Sequence, residues 1–322
     1  MGAVTVEAQN PTVLSHVWRL RLDYEGDTGP PTLFLKTRHR DKPEIAKFGH
    51  HEVTFYRKLA PETPAGIVVH CHDAHLDETT GDWHLLLEDL RDTHAAPSAW
   101  PLPPTTADSE AVIRTLARFH AAWWDDRRLG VTVGTWADPA DVAVGQQQMT
   151  DAVAKLAETL GDRFTADKRT FYARLIERTG PLGARYHSRR NMTIVHGDAH
   201  VGNCWLPKPD STGTPKLFDW DSWRLDYATD DLAYQMALHW YPDVRREREM
   251  ALLDAYHDEL LKQGVTDYSR QALQDDYRLS VLWMTMKPIW QHASGIPAWI
   301  WWSHLARIHM AAEDLGCLEL LA

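Results

Sequence analysis

Eight residues, His-Gly-Asp-Ala-His-Val-Gly-Asn at positions 196–203, constrain this chain more than any other stretch. Gly197 and Gly202 permit tight backbone turns that residues with a side chain resist. Asp198 and Asn203 therefore stand five residues apart in one short loop. Asn191 to Val195 lead into the loop, and Cys204 to Pro207 resume as a strand. Pro209 to Pro215 read as a hairpin-like turn, with Lys216 to Asp219 as the returning strand. Asp219 follows Asn203 by sixteen residues, inside Phe218-Asp219-Trp220-Asp221. Such a hairpin can bring two carboxylates and an amide to one point.

That constellation suits phosphoryl transfer from a metal nucleotide. One Asp orients an acceptor hydroxyl, while an Asn and a second Asp hold magnesium against the phosphates. The bland alternative is a turn rich in capping residues beside an exposed acidic loop. The occurrence of all the parts in order, at short spacing, favours the chemical reading.

The first ninety residues read as a small, mostly antiparallel sheet interrupted by one helix. Val13 to Tyr24 has partly alternating extended character, and Glu25 to Pro31 is a turn. Leu33 to Thr37 is a short apolar strand containing Lys36. Glu44 to Ala60 is helical, with Ile45, Phe48, Val53, Tyr56 and Leu59 recurring at three to five residues. Ile67 to Val69 and Trp83 to Leu87 are two further candidate strands. A lysine in so apolar a strand is costly if buried alone, and Glu52 on the following helix is its candidate partner. A lysine pointing to solvent is the alternative. Leu85 to Leu90 run from an apolar strand into acids, where the chain could cross between lobes and offer the backbone of Glu88, Asp89 and Leu90 to an adenine ring. Asp89 could instead brace the crossing. No GxGxxG or GxxxxGK is present, which argues against a dinucleotide fold and a P-loop NTPase. Asn10 to Ser15 would have to cover the phosphates by backbone contacts alone.

Beyond residue 90 the pattern is largely helical. Residues 91–108 read as a linker. Ser109 to Trp124 is a helix with Val112, Leu116, Phe119 and Trp123 as its apolar stripe and Asp108 or Ser109 as cap. His120 reads as a packing or hydrogen-bonded histidine. Residues 132–143 are looser, and Gln146 to Leu160 and Ala166 to Arg178 are helical again. In Asp226 to Ala233, Asp230 is the expected helix cap and Asp231 lies in the first turn. The remainder is helical apart from Gly295 to Pro297. Its Trp283, Trp290, Trp299, Trp301 and Trp302 serve either an apolar acceptor pocket or ordinary core.

The formal net charge of -11 disfavours wrapping nucleic acid, and tilts weakly towards a cationic small molecule. Three widely spaced cysteines do not make a disulfide scaffold. No run of eighteen apolar residues and no basic segment leading into a long apolar one occurs, so no membrane is implied and a cytoplasmic enzyme is the expectation. Five histidines (His70, His72, His75, His196 and His200) tempt a zinc reading, but their spacing gives no full ligand set.

The phrases HEVTFYRKL, LLLEDL, LARFHAAWW, HGDAHVGNCW and KLFDWDSWRLDYATDDLAY resemble, in order, segments of the aminoglycoside phosphotransferase and choline kinase superfamily. They resemble its ecdysteroid-kinase-like members most. The resemblance implies an α+β, bilobal, protein-kinase-like fold. A small β-rich N-lobe would occupy residues 1–90 with a hinge at its end, and a large helical C-lobe residues 91–322. It implies ATP and Mg2+ as cofactors and a small-molecule hydroxyl as acceptor. Lys36 would bind phosphates, Glu52 would pair with it, and Glu88 to Leu90 would form the hinge. Asp198 would be the base, with His196 bracing its loop. Asn203 and Asp219 would be magnesium ligands, and Asp231 a support from its helix. Asp221 stands where the protein-kinase triplet has Gly, which leaves its role open. The absence of HRD, DFG and APE phrases disfavours a protein kinase. A catalytically silent nucleotide-binding protein of the same fold is the other alternative. Oligomeric state is not legible.

Overall fold

The computed structural model describes residues 2–12, 15–26, 28–39, 48–99 and 102–322. The chain opens with a five-stranded antiparallel sheet in the order β1-β2-β3-β5-β4. Its strands are β1 (Ala3–Pro11), β2 (Ser15–Asp23), β3 (Thr32–Arg38), β4 (Cys71–Leu76) and β5 (Trp83–Glu88). β5 buries Trp83, Leu85 and Leu87 and leaves the alternate residues half-exposed, the period-2 signature of a strand with one core face. β1 has no counterpart in the sequence reading. Val4 and Val6 remain largely exposed, so no buried face is written into this edge strand.

Helix α1 (Phe48–Lys58) packs against the sheet through Val53, Phe55 and Tyr56. The first four residues of the expected helix, 44–47, lie outside the described residues. Ile67 to Val69, expected as a strand of the N-terminal sheet, do not join it. Leu217 N–H donates to the Ile67 carbonyl at 2.7 Å and its carbonyl accepts from Val69 N–H at 3.1 Å. These three residues thus pair with the second half of the molecule, because β4 takes the edge beside β5.

The second half is helical around short strands. Its helices are α2 (Thr106–Ala122), α3 (Pro139–Leu160), α4 (Ala166–Glu177), α5 (Thr179–His187), α6 (Thr229–Leu232), α7 (Pro242–Lys262), α8 (Arg270–Met284), α9 (Lys287–Ala293) and α10 (Ala298–Asp314). Val112, Leu116 and Phe119 of α2 are buried with Trp123, as their spacing predicts. Its cap is Thr105 rather than Asp108 or Ser109: the Thr105 hydroxyl accepts from Asp108 N–H at 3.2 Å. α3 begins within the segment read as loose. β7 (Thr193–Val195) pairs with β10 (Arg224–Asp226). β6 (His94–Ala95), β8 (Cys204–Pro207) and β9 (Lys216–Leu217) form a small sheet, so the returning strand of the hairpin stops before Asp219. After α6 the helix widens into a π turn over Ala233–Leu238, a feature often found beside functional sites. Among the described residues no helix is long and apolar enough to cross a membrane. The β-rich first part and helical second part give the α+β, bilobal, protein-kinase-like architecture that the resemblance implies.

Candidate active site

A cavity of about 870 Å3 is lined by residues of both parts, among them Phe34, Lys36, Glu52, Leu90, Asp198, Asp219, Tyr234 and Lys287. Its roof begins at β3. Lys36 pairs in register with Val17 on one side and Leu85 on the other, which fixes the direction of its side chain. The Lys36 ammonium lies 2.7 Å from the Glu52 carboxylate and also contacts Asp219. Burial alone would lower its pKa, but Asp219 and Glu52 outweigh burial and hold the ammonium charged. Burial pushes the Glu52 carboxyl up, against the pull of Lys36.

Glu52 also reaches across to the acidic loop, accepting from Trp220 N–H at 3.3 Å. Trp220 stacks on Phe55 with ring centroids 3.9 Å apart, and His51 stacks on Trp223 at 4.5 Å. Helix α1 and the 218–223 segment are therefore tied together, and Asp219 within that segment has φ 69°. A left-handed backbone is unusual away from glycine, but Asp tolerates it better than most residues.

The 196–203 loop is wired from behind. His196 is fully buried and does not line the cavity. Its Nε2 donates to the Phe218 carbonyl at 2.9 Å while Nδ1 accepts from Asp198 N–H at 3.3 Å. The ring thereby ties the two acidic segments together. Asp231 is not exposed at all and accepts from His196 N–H at 2.7 Å, Gly197 N–H at 2.8 Å and His120 Nε2 at 3.1 Å. Burial works to raise its pKa, but the His120 hydrogen bond and the His196 contacts hold it below the usual carboxylate range. Asp230, expected as the helix cap, instead pairs with Arg224, and Ala228 occupies the cap position without a side-chain bond.

Asn203 donates through Nδ2 to the Asp198 carbonyl at 3.0 Å and to Asp198 Oδ2 at 3.2 Å. The other Asp198 oxygen accepts from the Tyr234 hydroxyl. Desolvation works to raise the Asp198 pKa, but His200, Lys287 and Tyr234 bring it below the ordinary carboxylate value. Asp221 is pushed up to about 6 by burial and by Asp219.

At the crossing segment, Glu88, Asp89 and Leu90 line the cavity. Asp89 accepts from Arg19 Nε at 2.5 Å and from Arg91 N–H at 3.1 Å, so its carboxylate braces the segment. Thr12 and Ser15 also line the cavity, with hydroxyls 2.9 Å apart, while residues 13–14 of the expected phosphate cover lie outside the described residues. Trp290 reaches the cavity, Trp301 is buried in the core and Trp283 packs against it, whereas Trp299 and Trp302 are exposed and serve neither expected use.

Tyr234 and Lys287 escaped the sequence reading. Tyr234 had a signal: it lies three residues after Asp231, on the same side of the helical turn. Lys287 had none, since it joins Asp198 in lining the cavity from a helix far along the chain.

Gly197 has no room for a side chain. It adopts φ 78°, and a Cβ there would sit 2.1 Å from the Ser222 backbone carbonyl oxygen. Gly197→Ala is expected to destabilise the protein by roughly 2–4 kcal/mol, as read by urea unfolding. A wild-type unfolding midpoint would refute the close approach.

The model of the phosphotransferase enzyme family (APH) matches residues 15–270. A GDP complex of an aminoglycoside 2'-phosphotransferase-IIIa mutant is similar with a TM-score of 0.58 at 12% identity, over 99% of this chain and 93% of that one. A choline/ethanolamine kinase family protein from Mesorhizobium loti gives 0.54 at 12% identity, over 98% of this chain and 88% of that one. Amicoumacin kinase, in complex with AMP-PNP, Ca2+ and Ami, gives 0.54 at 15% identity, over 97% and 88%. At these identities the likeness is one of fold. No curated protein matches the sequence. With its matched span running from β2 to the start of α8 and containing the whole Lys36, Asp198 and Asp219 constellation, the chain belongs to the phosphotransferase enzyme family.

Proposed function

We propose that the protein transfers the γ-phosphoryl group of ATP, with Mg2+, to a hydroxyl of a small molecule. The observation that carries this reading is the convergence of Lys36, Glu52, Asp219 and Asp198 on one cavity. In this reading the lobes divide after residue 90, and the backbone of Glu88 to Leu90 faces the adenine. Lys36, held by Glu52, binds α and β phosphates. Asp198 accepts the hydroxyl proton of the acceptor, and its lowered pKa keeps it ionised into the mildly acidic range. Asn203 and Asp219 are the metal ligands.

The residues fit that metal. Both supply hard oxygen donors: Asn203 commits only Nδ2 to Asp198, leaving Oδ1 for a cation, and the Asp219 side chain is 39% exposed towards the cavity. Among the described residues no three His, Cys, Asp or Glu side chains are grouped to enclose a metal. That suits Mg2+, which takes one or two carboxylates and completes its shell with phosphates and water. When bound, the metal supplies charge neutralisation on the phosphates.

The test is a screen with ATP and Mg2+ over hydroxyl compounds, read as an added phosphate by mass. Product from the wild type that disappears in the Lys36→Met variant supports the reading. Lys36→Met is expected to fold, because the enclosed Glu52 carboxyl can take a proton, and to lower kcat/KM about 100-fold. A folded variant that turns over like the wild type would remove Lys36 from the phosphate site.

A further inference from the structure

The acceptor end of the cavity carries a cation. Lys287 opens helix α9, and its ammonium lies 4.8 Å from the centre of the Tyr234 ring. Among the described residues it has no hydrogen bond and no carboxylate within 4 Å. Enclosure by protein lowers its pKa, and Asp198 offsets only part of that effect. Asp221 and Asp230 add further attraction from a distance, while Arg224 repels it. Lys287 is half-buried and lines the cavity, so its three donors face the space a ligand would occupy with no acceptor among the described residues committed to them.

The wall next to it explains what could meet those donors. α9 and the turn after it line the cavity with Trp290, Gln291, Ser294 and Ile296, and contribute no carboxylate. The cavity carboxylates that act on Lys287, Asp198 and Asp221, are the residue that the phosphotransfer reading makes the base and a close neighbour of the metal ligand Asp219. A cationic acceptor would find the ammonium of Lys287 beside an uncharged wall. An anionic acceptor would find a charge-assisted partner, with Trp290 and Ile296 for its apolar body.

We infer that the acceptor is a hydroxy acid with an apolar body, whose anionic group pairs with Lys287 while its hydroxyl reaches Asp198. This deepens the phosphotransfer reading and rests on it. It runs against the weak tilt towards a cationic molecule drawn from net charge, because the overall charge of a surface does not set the charge of one enclosed wall.

The test is one of binding, so that it stands apart from turnover. Calorimetry on the full chain compares three probes of one shape: 4-(hydroxymethyl)benzoate, 4-(hydroxymethyl)benzamide and 4-(hydroxymethyl)benzylamine. The carboxylate is expected to bind about tenfold more tightly than the amide, and the amine most weakly. Lys287→Met is expected to abolish this ranking and Lys287→Arg to retain most of it. A ranking unchanged in Lys287→Met, an amine bound as well as the carboxylate, or no binding of the carboxylate would each overturn the assignment. Failure of the phosphotransfer reading would show separately, as absent phosphate product with the binding ranking intact.

Discussion

Asp198→Asn lowers kcat about 1000-fold while nucleotide affinity stays within about threefold of the wild type. The amide has the shape of the carboxylate but cannot accept the proton of the attacking hydroxyl. Of the contacts around it, the Tyr234 hydroxyl and Asn203 Nδ2 both donate to Asp198 oxygens. An amide keeps one acceptor and sets its own NH2 against the other donor, at a cost of about 1–2 kcal/mol. Folding therefore survives, and the two effects separate in single-turnover kinetics and a thermal melt. Undiminished turnover by a folded variant would take the base role away from Asp198. Loss of nucleotide binding in proportion to kcat would recast it as a binding residue.

Asp231→Ala is expected to cost stability rather than chemistry alone. The carboxylate accepts from two backbone N–H groups of the 196–197 turn and from His120, whose other nitrogen bonds the Tyr256 hydroxyl at 2.8 Å. Removing it orphans buried donors at about 1–3 kcal/mol each, for a total of about 3–5 kcal/mol. The midpoint of thermal unfolding should fall by about 6–15 °C. Below the melt, activity should be low as well, because the turn that aims Asp198 loses its anchor. Asp231→Asn keeps one acceptor and should fall between the two. A melt within a degree or two of the wild type would show that the turn holds itself.

Where the sequence was read correctly, the information was local. Lys36 stood out because an ammonium in an apolar strand demands a partner, and Glu52 on the next helix supplies one at 2.7 Å. The α2 stripe was legible because four apolar residues at helical spacing can share one face. Asp198 and Asn203 were tied together by two glycines in one short loop. The misreadings have equally local causes. Thr105 and Asp108 are both good caps, and only the backbone geometry selects Thr105. Asp230 resembles a cap in sequence, but Arg224 claims it first.

By itself the sequence determined the tight 196–203 loop, the lysine and its partner, the strand at β5 and the helical second half. Each of these is written in spacing along a few neighbouring residues. Tertiary structure alone decided that Ile67 to Val69 would leave the N-terminal sheet to pair with Leu217. It also decided that Phe218 would be the partner of the His196 brace, and that Lys287 would line the same cavity as Asp198 from a distant helix. The physical reason is that such contacts depend on which surfaces remain unpaired once the whole chain has packed, and no local pattern carries that information.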